Sequence, residues 1–90
     1  MQLLLDPMTE RETKIKAVVK GVSLLSGADP SCEVLLFDSG IVDSFGLADL
    51  VTALEQEFQV KIPESDLYPG NFASIQVIDT YLEKIEASGG

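Results

Sequence analysis

Two Asp-Ser pairs stand five residues apart in the middle of the chain, Asp38-Ser39 and Asp43-Ser44. A serine hydroxyl becomes a catalytic nucleophile when a neighbouring base, most often histidine, takes its proton. The chain contains no histidine and Cys32 is its single cysteine, so it can form neither a serine–histidine nor a cysteine–histidine dyad. The same composition excludes an internal disulfide and an ordinary zinc site. The chain therefore lacks the base that hydrolysis at either serine would need, and a hydrolase is the weakest interpretation.

Position along the chain separates the two serines. Ser39 is followed by Gly40 and lies inside a predicted loop, whereas Ser44 lies where that loop gives way to a predicted helix. Free backbone N–H groups and the helix dipole make a helix N-terminus a favourable place for a phosphate group. An alternative stays open, because aspartate and serine are both common helix caps and either Asp43 or Ser44 could serve only that role.

Apolar residues at helical spacing predict three main helices. The first runs from about Thr9 to Leu25. Thr9 and Glu12 have the spacing of a capping box at its start. Gly27 and Pro30 supply the stop signals after it, since glycine favours a C-terminal cap and proline cannot continue a helix.

The second helix is predicted to run from Ser44 to about Gln59, and the last helix to follow Ser74 as its N-cap. Each has one apolar stripe that a core would bury. In the second helix the stripe consists of Leu47, Leu50, Val51, Leu54 and Phe58. In the last helix it consists of Ile75, Ile78, Leu82 and Ile85, with Val77 and Tyr81 at its margin.

The segments between these helices complete the predicted fold. A short helix is predicted to start at Pro63 and to end before Pro69-Gly70. Residues 34–37 could form a strand, but no second run nearby could pair with it and an isolated strand is not stable. We therefore expect a loop that packs across the bundle. The fold class is all-α: a small four-helix bundle of three main helices and one short helix, with a long loop between helices one and two.

Size and charge limit the domain count and the partners. Ninety residues with 46% apolar content suffice for one core, so residues 1–90 are expected to form a single domain with flexible ends at 1–8 and 87–90. The net charge is −9, and all of it lies after Pro30, where eleven acids face only Lys61 and Lys84. Such a charge opposes binding to nucleic acid or to an anionic membrane surface, so partners are expected to be basic.

Cysteine usage and hydropathy suggest where the chain works. A single cysteine fits a reducing compartment, and no apolar run approaches the roughly 18 residues that a membrane-spanning helix needs. The apolar stretch at residues 1–5 is too short for a signal peptide. We expect a monomeric cytoplasmic protein without membrane insertion.

Three runs of sequence together resemble the acyl carrier protein family. They are LFDSGIVDSF at residues 36–45, LVTALEQEF at residues 50–58 and Ile62-Pro63, and the resemblance extends over about Thr9 to Ile85. In this family the serine of the Asp-Ser motif receives 4′-phosphopantetheine from coenzyme A, and the thiol at the end of that arm carries an acyl or aminoacyl group as a thioester. The resemblance implies that Ser44 is the attachment site in a non-catalytic carrier. It makes Asp43 a supporting residue that orders the loop end, contacts the transferase or acts as a second cap.

The resemblance also implies partners. These are a phosphopantetheinyl transferase and either an adenylate-forming acyl or aminoacyl ligase or enzymes of fatty-acid or polyketide synthesis. It places a recognition surface along the second helix, at Phe45, Ala48, Asp49, Glu55 and Glu57. The acids among them could equally form only a solvated helix face. Gly46 and Gln56 depart from the acidic pattern of many fatty-acid carriers, so the choice of partner follows less directly than the carrier function.

Other functions stay open beside this one. An acidic helical interaction module without a prosthetic group would also present such a surface, and it would not need Ser44. Within carriers, the residues at 36–40 and at 71–74 are similar to stand-alone carriers that work with adenylate-forming ligases, including D-alanyl carriers. A role in fatty-acid or polyketide synthesis is the alternative.

Overall fold

A computed structural model of the protein describes residues 9–23, 27 and 30–87. Three α-helices, α1 (Glu10–Val22), α2 (Gly46–Phe58) and α3 (Ile75–Ala87), are accompanied by two 3₁₀ turns, Glu64–Asp66 and Pro69–Phe72. No strand occurs in these ranges, which confirms the all-α class and the long loop between the first two helices. None of the helices in them is both long and apolar enough to cross a membrane.

The predicted capping box opens α1. The Thr9 hydroxyl accepts from the Glu12 N–H at 3.0 Å, and the Glu12 carboxylate accepts from the Thr9 N–H at 2.9 Å. The helix ends at Val22, earlier than predicted, because Ser23 adopts an extended backbone. Exposed Gly21, a poor helix former, weakens that last turn. Leu25, the predicted end, lies outside the described residues.

The core is built from the predicted stripes and from the loop before α2. Its helical members are Ile15, Val19, Leu50, Val51, Leu54, Ile75, Ile78, Tyr81 and Leu82. Leu47, Phe58 and Ile85 pack against it as partly buried residues. An ion-pair cluster at the surface joins the outer helices, since Arg11 contacts Asp79 at 3.1 Å and Glu86 at 2.8 Å.

The predicted short helix is replaced by the two 3₁₀ turns. Tyr68 lies between them with φ −141° and ψ 155°, an extended conformation. A residue before proline is biased away from the helical region by a clash with the proline ring, so Pro69 interrupts a helix that would otherwise continue from Glu64. At the other predicted boundary, Ala87 is the last residue of α3, so one residue of the range 87–90 that the sequence assigns to a flexible end is helical.

The loop of residues 30–45 packs against the start of α3, as predicted for a loop rather than a strand. The Gln76 N–H donates to the Cys32 carbonyl at 2.9 Å, and the Leu36 N–H donates to the Ala73 carbonyl at 2.7 Å. The first of these bonds satisfies an N–H that helix α3 itself leaves unpaired. Ser74 caps the same helix as predicted, because its hydroxyl accepts from the Val77 N–H at 3.2 Å.

Tyr81 belongs to the core and not to its margin, where the sequence placed it. Its side chain is buried, its ring meets Phe72 edge to face with 5.5 Å between centroids, and its hydroxyl donates to Asp66 at 2.7 Å. A tyrosine can be buried in this way because its polar tip finds an acceptor. The bond fixes the first 3₁₀ turn to α3.

Replacing Tyr81 with phenylalanine should lower the free energy of unfolding by roughly 1–2 kcal/mol, because the ring packing is kept while one hydrogen bond to a carboxylate is lost. Urea unfolding at neutral pH measures the change as a lower midpoint at constant slope. Tyr68→Phe is the matched control, since that side chain is 52% exposed and should unfold like the unaltered protein. Equal midpoints for the two variants would contradict the structural role of the Tyr81 hydroxyl.

The same contact predicts a pH dependence. Burial and the hydrogen bond to Asp66 raise the pKa of Tyr81 above its ordinary value of 10.0. The folded state then holds the phenolic proton more tightly than the unfolded chain, so this stabilisation is complete below pH 10 and falls as the pH rises above it. The difference in unfolding free energy between the Tyr68→Phe protein and the Tyr68→Phe/Tyr81→Phe double variant should shrink between about pH 9 and 11. A difference that stays constant over this range would contradict the raised pKa.

Candidate functional site

The two Asp-Ser pairs occupy different environments. Ser39 is exposed, but its hydroxyl donates to the Leu36 carbonyl at 3.3 Å within the loop. Ser44 is exposed in the turn immediately before the first residue of α2. Its hydroxyl forms no hydrogen bond with any residue that the structure describes. Ser44 therefore offers an unengaged hydroxyl to solvent at the start of a helix, as the sequence predicted.

Asp43 makes a capping hydrogen bond at the start of this helix, although the residue directly before Gly46 is Phe45, whose side chain makes no cap bond. The Asp43 carboxylate accepts from the Gly46 N–H at 2.7 Å, which is the bond that an N-cap side chain makes three residues into a helix. Phe45 already has helical dihedral angles, φ −73° and ψ −33°. Of the two alternatives that the sequence left open, Asp43 takes the capping role, and the Ser44 side chain is not needed for it.

The loop before Asp43 holds this turn in place. Val42 is fully buried, and its N–H donates to the Leu36 carbonyl at 3.0 Å. Gly40 makes the reversal of the chain possible, because its φ of 83° lies in the left-handed region that glycine enters without strain. Ser44 thus follows two residues after an anchored core residue, so its backbone is positioned by core packing as well as by the cap.

Gly46 has a spatial explanation in this turn. A Cβ atom there would lie 3.2 Å from Cγ1 of Val42 and 3.4 Å from the capping oxygen of Asp43. The first distance is shorter than an ordinary van der Waals contact between carbon atoms. Glycine therefore allows the first turn of α2 to lie close to the buried valine and the capping carboxylate, and a larger residue would need a small shift of the Val42 side chain.

The predicted recognition residues do not all have the same environment. Phe45 is 88% exposed, and Ala48, Asp49 and Glu57 are also exposed. Glu55 differs, because it is half-buried and its carboxylate accepts from the Ile62 N–H at 2.8 Å. That bond fixes the chain after α2, a structural role that the sequence did not predict. Recognition of partners by these five residues stays a prediction.

The residues present fit a phosphate ester on Ser44. The backbone N–H groups of Ser44 and Phe45 have no acceptor within the described part of the chain, and they stand at the positive end of the α2 dipole. A phosphate bound at this point would gain favourable interactions with both features.

Comparison with known proteins places this arrangement in a family. Residues 13–78 match the family described as "phosphopantetheine attachment site". The chain is 38% identical over 52 residues to the probable acyl carrier protein PigG of a Serratia species, an alignment that covers 58% of this chain and 60% of that protein. It is 31% identical over 51 residues to the D-alanyl carrier protein of Streptococcus pyogenes serotype M5, covering 57% of this chain and 65% of that one.

In both alignments the chain spans less than two thirds of the relative's length. The family match is broader, because it covers most of the chain and includes the capped turn with its exposed serine. The chain therefore belongs to the family of carrier proteins with a phosphopantetheine attachment site.

Proposed function

We propose that Ser44 is the attachment residue of a 4′-phosphopantetheine arm and that the protein carries acyl or aminoacyl groups on that arm between partner enzymes. The observation that supports this most directly is the unengaged Ser44 hydroxyl, exposed at the capped start of α2 within the family match. When bound, the arm supplies a terminal thiol that holds the cargo as a thioester. The chain itself supplies the position of the attachment point.

Attachment requires little chemistry from this protein. Oγ of Ser44 forms a bond to phosphorus while the phosphoanhydride bond of coenzyme A breaks, adenosine 3′,5′-bisphosphate leaves, and the serine proton passes to a base. No histidine exists in the chain, and we assign the base to the transferase. The carrier contributes an ordered backbone, an accessible hydroxyl and a helix end that favours the incoming phosphate.

The proposed cargo is a small group, aminoacyl or short acyl. The interior supports this, since Leu50, Leu54, Ile78 and Leu82 are fully buried members of one core cluster. A long acyl chain would have to separate these close-packed side chains to leave water, at a cost in packing energy. The D-alanyl carrier protein among the relatives is named for a cargo of this size. A fatty-acid or polyketide role remains the alternative.

The proposed partners are a phosphopantetheinyl transferase and an adenylate-forming ligase with basic docking surfaces. Phe45, Ala48 and Asp49 share one face at the start of α2, since residues three and four apart are neighbours on a helix. This face is apolar near Ser44 and acidic beyond it. A basic partner would gain steering toward this acidic part of the chain, and its approach would slow with added salt.

Incubation of the purified protein with coenzyme A and a broad-specificity phosphopantetheinyl transferase should add the mass of one phosphopantetheine group to the intact protein. Ser44→Ala should abolish the increment, and the matched control Ser39→Ala should retain it because that hydroxyl is engaged within the loop. Intact-protein mass spectrometry measures both. No increment would favour the acidic interaction module without a prosthetic group, and an increment that persists in Ser44→Ala would contradict Ser44 as the attachment residue.

Replacing Asp43 with alanine should destabilise the protein by about 1 kcal/mol through loss of the helix cap, whereas Asp43→Asn should cost less because its amide oxygen can still accept from the Gly46 N–H. Urea unfolding measures the difference between the two variants. If the cap also positions Ser44 for the transferase, loading of Asp43→Ala should be slower than loading of Asp43→Asn. Loading that is slow in both variants to the same extent would instead indicate a direct contact of the carboxylate with the transferase.

The cargo can be identified on protein isolated from its native cell. Mass spectrometry of the arm released from Ser44 should show an aminoacyl or short acyl group. A long-chain acyl group in its place would contradict the proposed cargo class without affecting the attachment site.

A further inference from the structure

An apolar groove of about 180 Å³ lies between the loop before α2 and the second 3₁₀ turn. Its lining residues are Leu35, Phe37, Asp38, Pro69, Gly70 and Ala73. Only one of them is charged, and the Leu35 side chain is 51% exposed. An apolar side chain half in water beside an apolar groove gains free energy when a partner covers it. The acyl or aminoacyl carrier role does not by itself use this groove.

The groove is joined to the Ser44 turn by backbone hydrogen bonds. Leu36, which lies between two lining residues, donates from its N–H to the Ala73 carbonyl and accepts from the Val42 N–H through its own carbonyl. Val42 is two residues before Ser44. The reach of so short a segment puts the groove on the order of 15 Å from Ser44. A protein interface that buries about 800 Å² on each side is about 30 Å across, so one partner can cover both.

Two small residues, Gly70 and Ala73, belong to the groove lining. The backbone does not require glycine at position 70, since the positive φ angles of glycines in the described residues belong to Gly27 and Gly40. Ala73 has an ordinary helical conformation, φ −67° and ψ −30°, which any residue can adopt. A larger side chain at position 73 therefore changes the lining of the groove without straining the backbone.

Charge limits what can enter the groove. Its only charged lining residue is Asp38, and neither Lys61 nor Lys84, the two bases after Pro30, takes part in the lining. A second copy of this chain would bring its own net charge of −9 and would be repelled. The negative charge of Asp38 and of the chain as a whole attracts a basic surface. An apolar side chain that projects from such a surface fits the apolar lining of the groove.

The chemistry at Ser44 also limits which enzyme can cover the groove. An enzyme that transfers a group to Oγ of Ser44 must bring its active site into contact with that atom, so its footprint extends over the surrounding surface. An enzyme that acts at the far end of the arm also docks on the carrier, but its active site lies an arm's length from Ser44, so contact with the groove is not required of it. We propose that the groove receives an apolar side chain, flanked by lysine or arginine, of the enzyme that transfers phosphopantetheine to Ser44. This inference rests on the proposed function and adds the docking contact to it.

The test compares loading kinetics of the full chain with coenzyme A and a broad-specificity phosphopantetheinyl transferase. Leu35→Gln removes an apolar wall of the groove, and Ala73→Leu fills it. Leu67→Gln is the matched control, because Leu67 is 38% exposed and does not line the groove. Far-UV circular dichroism and the unfolding midpoint of each variant show whether it is folded before its kinetics are read.

Both groove variants should raise the KM for the carrier by roughly three- to tenfold with kcat within about twofold of the unaltered protein, since only docking is weakened. Leu67→Gln should keep the original KM. Unchanged KM values in folded Leu35→Gln and Ala73→Leu, or an equal rise in Leu67→Gln, would overturn the groove as the docking site while leaving the attachment at Ser44 intact. Failure of the unaltered protein to load would overturn the attachment itself and the groove proposal with it.

Discussion

The loop between α1 and α2 is held to the start of α3 by two backbone hydrogen bonds, from Leu36 to Ala73 and from Gln76 to Cys32. These bonds matter because the loop has no regular secondary structure to satisfy its own polar groups, and buried backbone groups need partners. They bring Leu36 and Val42 into the core, and the core then fixes the residue from which Asp43 and Ser44 continue. The position of the exposed serine is thus determined by packing on a helix thirty residues further along the chain.

A second set of polar contacts keeps the other side of the bundle closed. Glu55 binds the N–H of Ile62, and Asp66 receives the hydroxyl of Tyr81, so the segment between α2 and α3 is tied at two points to helices. Both carboxylates belong to the acidic half of the chain, but they are engaged within the fold. The net charge of this half therefore overstates the number of acids available to a partner. An electrostatic surface must be counted from side chains that are exposed, such as Asp49 and Glu57, and not from composition.

Around Ser44 the exposed surface is more apolar than the sequence charge indicates. Phe45, next to the serine, is almost fully exposed, and half-exposed Leu35 lines the apolar groove. Apolar side chains supply contact area, while the acids supply steering toward a basic partner and a salt-dependent rate of association. The two features together suit short encounters with several enzymes, because each encounter needs recognition at the attachment point without a large obligate interface.

The helices, their caps at Thr9 and Ser74, the buried stripes and the position of Ser44 at a helix start followed from the sequence alone, because these depend on residues three or four positions apart. The shortened α1, the division of the short helix at Tyr68 and the burial of Tyr81 were not predicted. The end of α1 and the division at Tyr68 depend on weak local preferences that the spacing of apolar residues does not show. The burial of Tyr81 depends on a hydrogen bond to Asp66, which lies in a different segment of the chain. The capping role of Asp43 was one of several alternatives until the distance to Gly46 was known. Sequence determined which serine hydroxyl lies at the start of a helix, since that depends on local spacing alone. Tertiary structure decided which neighbouring side chains are free for a partner, because that depends on contacts between residues far apart in the chain.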